Sequence, residues 1–207
     1  MGHDAVDNTD IKLMLDKNGH LRPCQRGLIL EEMLRRDQFR LMNEMSQIII
    51  PWKKLGNTMA RDLSNLIRKC RKLELLDLEN NFIGCVGCIE LSKALSTHPG
   101  IRTLNLAGNK VADLGAAMLS SMLLSNTTLT HLDLSGNRLE KEAMQGLGGG
   151  LRGNTTLHTL ILDENYFGDE GANELSWALT INSSLHTLSI RGNVSSRPAL
   201  SSQTDPV

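Results

Sequence analysis

Aromatic residues are scarce: two Trp, one Tyr and three Phe in 207 residues. Trp52, Trp177 and Tyr166 are too dispersed to build a stacking platform for single-stranded nucleic acid, or the aromatic-lined pocket usual for small ligands. Long apolar runs are missing too. The richest stretches, Ile48-Ile49-Ile50 and Met118 to Leu124, fall far short of the ~20 residues a membrane-spanning helix needs. The formal net charge is only −1, so no global field draws the chain to DNA or to an acidic membrane. The opening MGHDAVDNTD has neither the basic lead-in nor the apolar core of a secretory signal. Val6 stands where a myristoylation motif beginning at Gly2 needs Ser or Thr. Four cysteines (Cys24, Cys70, Cys85, Cys88) in a leaderless chain read as reduced thiols. The glycosylation sequons at Asn126, Asn154 and Asn182 would then meet no glycosylation machinery, and the expected compartment is the cytoplasm.

What the chain does have is a repeat. The pattern L-x-x-L-x-L-x-x-N runs through Leu73, Leu76, Leu78, Asn81; Ile101, Leu104, Leu106, Asn109; Leu129, Leu132, Leu134, Asn137; Leu157, Leu160, Leu162, Asn165; and Leu185, Leu188, Ile190, Asn193. Every step is 28 residues. Within a repeat, Leu76 and Leu78 alternate with Leu75, Asp77 and Glu79, the period-2 mark of a short strand buried on one face. The second half carries apolar residues at helical spacing, as at Ile83, Cys88, Leu91 and Leu95. A strand and a helix in 28 residues force the next strand to lie parallel and adjacent. Helices are wider than strands spaced at ~4.8 Å, so the stack curves with the helices outside. The recurring Asn leaves the strand where its amide can satisfy backbone groups that the turn leaves unpaired.

In these residues the chain resembles the leucine-rich-repeat proteins, in particular their ribonuclease-inhibitor-like subclass. The resemblance implies an α/β leucine-rich-repeat solenoid, a curved parallel sheet inside and helices outside, with an α-helical N-terminal cap. It covers 73–193 tightly. Subtracting 28 predicts a cryptic repeat over 45–72, with Met45, Ile48 and Ile50 in its strand, although Pro51 cannot donate a ladder bond and Lys53 replaces the Asn. Residues 1–44 are expected to form the cap, with a hairpin over 11–21 and an amphipathic helix over 27–43. Repeats begin at 73, 101, 129 and 157, a final strand spans 185–193, and a Ser/Pro-rich, disordered tail occupies 194–207. No cap follows the last strand in this reading. Leu185, Leu188 and Ile190 would form an open edge available to a partner, a second copy or further repeats.

Charge is divided. Residues 1–72 hold 14 Lys and Arg against 9 Asp and Glu; residues 73–207 hold 8 against 14. The basic part ends in Arg68, Lys69, Arg71 and Lys72, read either as cations favoured at a helix C-terminus or as a docking site for an acidic protein surface or a phosphate. Cys85-Val-Gly-Cys88 has no second CxxC to complete a zinc site, and Cys88 falls on a buried helix position. The GxGxxG at 148–153 lies inside a helix, so it is no phosphate loop. Gly149 shares a column with Trp177, whose indole is expected to lie across it. His131, His158 and His186 recur on strands. No catalytic motif or cofactor site emerges, and none of Asp77, Asp133 and Asp163 has the surroundings of a general acid or base.

The expected function is therefore non-enzymatic: a protein–protein interaction scaffold. Its concave face carries Leu75, Asp77, Glu79, Asn105, His131, Asp133, Ile161, Asp163 and Arg191, an acidic mixture suited to a basic protein partner. No cofactor, metal, nucleic acid or membrane is called for, and association through the C-terminal edge fits the open strand. Alternatives from family resemblance are a GTPase regulator like the Ran GTPase-activating proteins, or a truncated form of a longer receptor-like or ciliary/axonemal repeat protein, with a cytoskeletal or ciliary location.

Overall fold

The computed structural model describes residues 46–194. The expected hairpin over 11–21, the helix over 27–43, the cap they compose and the tail from 195 onward lie outside the described residues. What remains is a strand-helix alternation without exception: β1 (Gln47–Ile49), α1 (Gly56–Ile67), β2 (Leu75–Asp77), α2 (Cys85–Leu95), β3 (Thr103–Asn105), α3 (Ala112–Ser125), β4 (His131–Asp133), α4 (Lys141–Gly153), β5 (Thr159–Ile161), α5 (Gly168–Leu179) and β6 (Thr187–Ser189). The six strands form one parallel sheet in sequence order. Each pairs with the next at an offset of 28, from Ile48↔Leu76 through Leu160↔Leu188. β1, in the stretch where the cryptic repeat is expected, joins the sheet in the same register as the rest.

Burial follows the columns. The central strand residues Ile48, Leu76, Leu104, Leu132 and Leu160 and the next apolar column, Ile50, Leu78, Leu106, Leu134 and Leu162, form the core with the inner faces of the helices. Each helix turns the same stripe inward, as with Ala60, Leu63 and Ile67 on α1 or Met144, Leu147 and Leu151 on α4. At ~25 cal/mol per Å² this continuous slab of leucine is the chief stabilising term, and no single repeat could build it alone.

Two asparagine ladders stitch the repeats. The first is the one read from sequence: the Nδ2 of Asn81, Asn109, Asn137, Asn165 and Asn193 donates to the carbonyl of Ile50, Leu78, Leu106, Leu134 and Leu162 at 2.8–3.0 Å. The Oδ1 atoms of Asn81, Asn109, Asn137 and Asn165 accept amides of the preceding repeat, as Asn165 does from Asn137 and Leu139. The departures at Pro51 and Lys53 cost little. Sheet bonds run from Ile50 N to Asp77 O and from Trp52 N to Glu79 O, skipping residue 51, and Lys53 N donates to Asn81 Oδ1.

The second ladder sits at the other end of the helices, and sequence reading missed it. Asn126, Asn154 and Asn182 donate from Nδ2 to the carbonyls of Leu95, Leu123 and Leu151 at 2.6–2.8 Å. Each Oδ1 accepts the two amides that lead into the next strand, such as Thr128 N and Leu129 N. These are the sequon asparagines, and Asn126 and Asn154 are buried. His98 fills the same column with imidazole chemistry. Its Nε2 lies 3.1 Å from Cys70 O, and its Nδ1 accepts Gly100 N and Ile101 N.

The glycines of α4 answer to backbone approach rather than to an indole. A Cβ on Gly150 would meet Ser120 O and Oγ at 2.7 Å, so α4 and α3 pack there backbone to backbone. The expected Trp177–Gly149 contact does not form. A Cβ on Gly149 would have only Arg152 and Ser120 atoms within 4 Å, and Trp177 is 64% exposed.

Candidate interaction surface

Because strand residues alternate, the sheet shows solvent three columns per repeat. They are Gln47, Leu75, Thr103, His131, Thr159, Thr187; Ile49, Asp77, Asn105, Asp133, Ile161, Ser189; and, just past the strands, Pro51, Glu79, Ala107, Ser135, Asp163, Arg191. All are partly or fully exposed. At ~4.8 Å per strand the face extends about 24 Å from β1 to β6. The register thus brings Leu75, Asp77, Glu79, Asn105, His131, Asp133, Ile161, Asp163 and Arg191 onto one surface.

The carboxylates there are already employed on one oxygen. Asp77 Oδ1 accepts Glu79 N at 3.1 Å, Asn105 Oδ1 accepts Ala107 N at 2.9 Å, and Asp133 Oδ1 accepts Ser135 N and Oγ at 2.9 and 2.6 Å. This is the Asx turn that redirects the chain out of β2, β3 and β4. Asp163 lies one column on and reaches across the repeat, accepting Ser189 Oγ at 2.6 Å and Arg191 N at 2.8 Å. The second oxygen of each carboxylate remains for a partner.

The other predicted residues lie elsewhere. Arg68, Lys69, Arg71 and Lys72 follow the end of α1 and lead toward β2, on the rim where strands begin. Arg68 donates to Asn65 Oδ1 at 3.0 Å, and Cys70 between them is buried. Leu185 and Leu188 are only partly buried and Ile190 is 40% exposed, whereas their counterparts one repeat earlier (Leu157, Leu160, Leu162) are fully buried. The first ladder also weakens there, because Asn193 Oδ1 is buried without a partner.

Burial pushes the Cys88 and Cys70 thiols up to about 12, so neither is a thiolate near neutrality. His158 and His186 stand one residue ahead of β5 and β6 rather than on them, their rings stacked at 5.1 Å and each Nδ1 2.6 Å from a backbone carbonyl. The GxGxxG lies within α4. Among the described residues one acidic trio, Asp113, Glu140 and Glu142, brings ligand atoms within 4.8 Å, and Asp113 Oδ1 there already accepts Glu140 N. Among the described residues no helix is long and apolar enough to cross a membrane.

A row on the exit rim escaped the sequence reading. Lys54, Phe82, Lys110, Arg138 and Tyr166 occupy one column immediately after the first ladder, and the first four are exposed. Lys110 Nζ sits 5.0 Å above the Phe82 ring. The signal was available: extending the 28-residue register by one residue past each ladder position, from Lys53 to Asn165, lines these side chains up.

Comparison with known proteins agrees with this architecture. The family model for the leucine-rich repeat matches residues 100–120, 125–148 and 153–176. A leiomodin-1 domain, its actin-binding site 2, is similar at a TM-score of 0.59 and 21% identity, over 73% of this chain and 88% of that one. The tropomodulin C-terminal domain of Caenorhabditis elegans is similar at 0.59 and 18%, over 74% and 90%. At these identities the likeness is one of fold. An internalin from Listeria monocytogenes matches at 15% identity over 79% of this chain and 54% of that one, with a TM-score of 0.38. No curated protein matches the sequence.

Proposed function

Because the chain is a leucine-rich-repeat protein, we propose that it is a non-enzymatic scaffold holding a protein partner across the concave strand face. The observation that supports this most directly is the register. Six strands at a constant offset of 28 line up three exposed columns into one shallow, continuous surface. Such a surface offers contact area and does not enclose a substrate. Apolar Leu75 and Ile161 provide anchors, and the free oxygens of Asp77, Glu79 and Asp133 favour a basic partner surface. The partly exposed Leu185, Leu188 and Ile190 extend the contact to the C-terminal edge.

A cytoskeletal partner is the narrower reading. A protein of similar fold is an actin-binding site of leiomodin-1, so actin is the first partner to test, with a cytoplasmic, cytoskeletal location to match. Sedimentation of the full chain with purified actin monomers and filaments is the assay. The pair Leu75→Arg with Ile161→Arg is expected to weaken binding about tenfold or more, as loss of a central anchor does, while Glu142→Arg on the helical side leaves it unchanged. Actin binding that ignores the concave pair overturns the concave-face reading; absence of actin binding overturns the cytoskeletal one.

A further inference from the structure

The exit rim of the first repeats carries a feature that the concave face does not explain. In the column just before each ladder residue, the chain turns through left-handed backbone. Gly108, Gly136 and Gly192 are the unstrained solution there, and Asn80 and Glu164 adopt the same backbone at φ 54° and 55°. Trp52 occupies the same column at φ 60° and is 70% exposed. Two columns on, Phe82 sits at φ 57° and is 49% exposed. Bulky side chains in this region cost on the order of 1–2 kcal/mol each, and neither recovers that cost by packing into the core. Around them stand Lys53, Lys54 and Lys110, all exposed, with Lys110 already poised over the Phe82 ring. Two strained, solvent-facing aromatics interleaved with three cations make a recognition strip.

We propose that Trp52, Lys53, Lys54, Phe82 and Lys110 form a second docking surface, for an extended acidic protein segment that carries aromatic side chains. The charge sets the partner's sign, and the two rings set its apolar content. A protein segment fits better than nucleic acid because the strip is short. Further along the same rim, past Arg138, exposed Glu164 stands in the column of Trp52, where a continuing phosphate backbone would meet a carboxylate. This surface does not rest on the concave-face reading, and its variants lie on different residues.

The test uses the full chain with Trp177→Phe, so that Trp52 is the sole tryptophan, and follows its emission on titration at physiological salt. Three ligands are compared: a synthetic peptide of Asp, Glu and Phe, the same length of Lys and Phe, and oligo-dT. Saturable binding of the acidic peptide alone is expected, weakened about tenfold or more by Lys54→Glu with Lys110→Glu and by Phe82→Ala, and unaffected by Asp77→Asn with Asp133→Asn. Circular dichroism melting of each variant separates lost binding from lost fold. No binding of the acidic peptide, binding that survives the lysine reversals in folded protein, or preference for oligo-dT overturns the proposal. So does a Trp52 that is already shielded from iodide quenching in the free chain.

Discussion

His98 predicts a pH-dependent stability that one substitution should erase. Its Nδ1 accepts two backbone amides, Gly100 N at 3.2 Å and Ile101 N at 3.1 Å, so the proton must reside on Nε2, facing Cys70 O. Protonating Nδ1 would set a third N–H against two donors, in a side chain only 4% exposed. Burial holds the pKa below the ordinary 6.5, outweighing the backbone carbonyls of Cys70 and Ile67, which favour the cation. The neighbouring Cys70 thiol, pushed up to about 12, stays neutral throughout and does not compete. The unfolded chain therefore takes up a proton near pH 6.5 while the folded chain refuses it. Stability is fully present above that pH. It falls as pH drops toward the folded pKa, by at most about 1.4 kcal/mol per pH unit for one proton, and then levels off. His98→Asn keeps a donor and an acceptor in the arrangement that Asn126 and Asn154 already use, and cannot titrate. Urea melts of both proteins from pH 7.5 to 5 should diverge below about 6.5, with the variant losing less; the other histidines cancel in the difference. Equal pH slopes would refute the assigned tautomer and the burial argument together.

Other expectations follow from the same contacts. Asn137→Ala removes donors to Leu106 O at 2.8 Å and Ser135 O at 3.1 Å and strands Val111 N, so thermal unfolding should report a loss of about 2–4 kcal/mol. Gly149→Ala and Gly150→Ala make an opposed pair: the first should gain up to about 1 kcal/mol from helix propensity, whereas the second drives a Cβ to 2.7 Å from Ser120 O and should lose about 1–3 kcal/mol net. Forced through a secretory host, the protein should emerge without glycan at Asn126 and Asn154 by intact-mass measurement, because both side chains are buried and bonded at both ends once folded.

What could be read from sequence was whatever repeated with one residue type. Leucine columns and the first asparagine ladder carry the same letter in most copies, with Ile101 and Ile190 as near equivalents, so strand register and helix face follow from counting. The column of the second ladder reads Cys70, His98, Asn126, Asn154 and Asn182, and the change of letter hides a job that His98 shares with the three asparagines. The sequon motif drew attention to the right asparagines for a surface chemistry that their burial denies them. The Gly149–Trp177 contact failed for a different reason. Sharing a column fixes the helix position of two residues but not the direction of a long side chain, and an indole can turn to solvent where a backbone contact such as Gly150–Ser120 cannot.

That same distinction decides how the acidic face should be interrogated. Asp77 and Asp133 each hold the turn with one oxygen, so replacing them with Ala would remove a charge and an Asx turn at once, and lost binding would be uninterpretable. Asn105 stands in their column and makes the same bond to Ala107 N at 2.9 Å without a charge. Asp77→Asn and Asp133→Asn should therefore keep the turn and the melting temperature while cutting affinity for a basic partner, more at low salt than at high. Asp163 is not equivalent. Its bonds to Ser189 Oγ and Arg191 N tie β6 to the sheet, so Asp163→Ala, which removes the accepting oxygen, should loosen the C-terminal edge, seen as faster amide exchange at Arg191. If Asp77→Asn and Asp133→Asn lower the melting point as much as Asp163→Ala does, the separation of turn from charge is wrong.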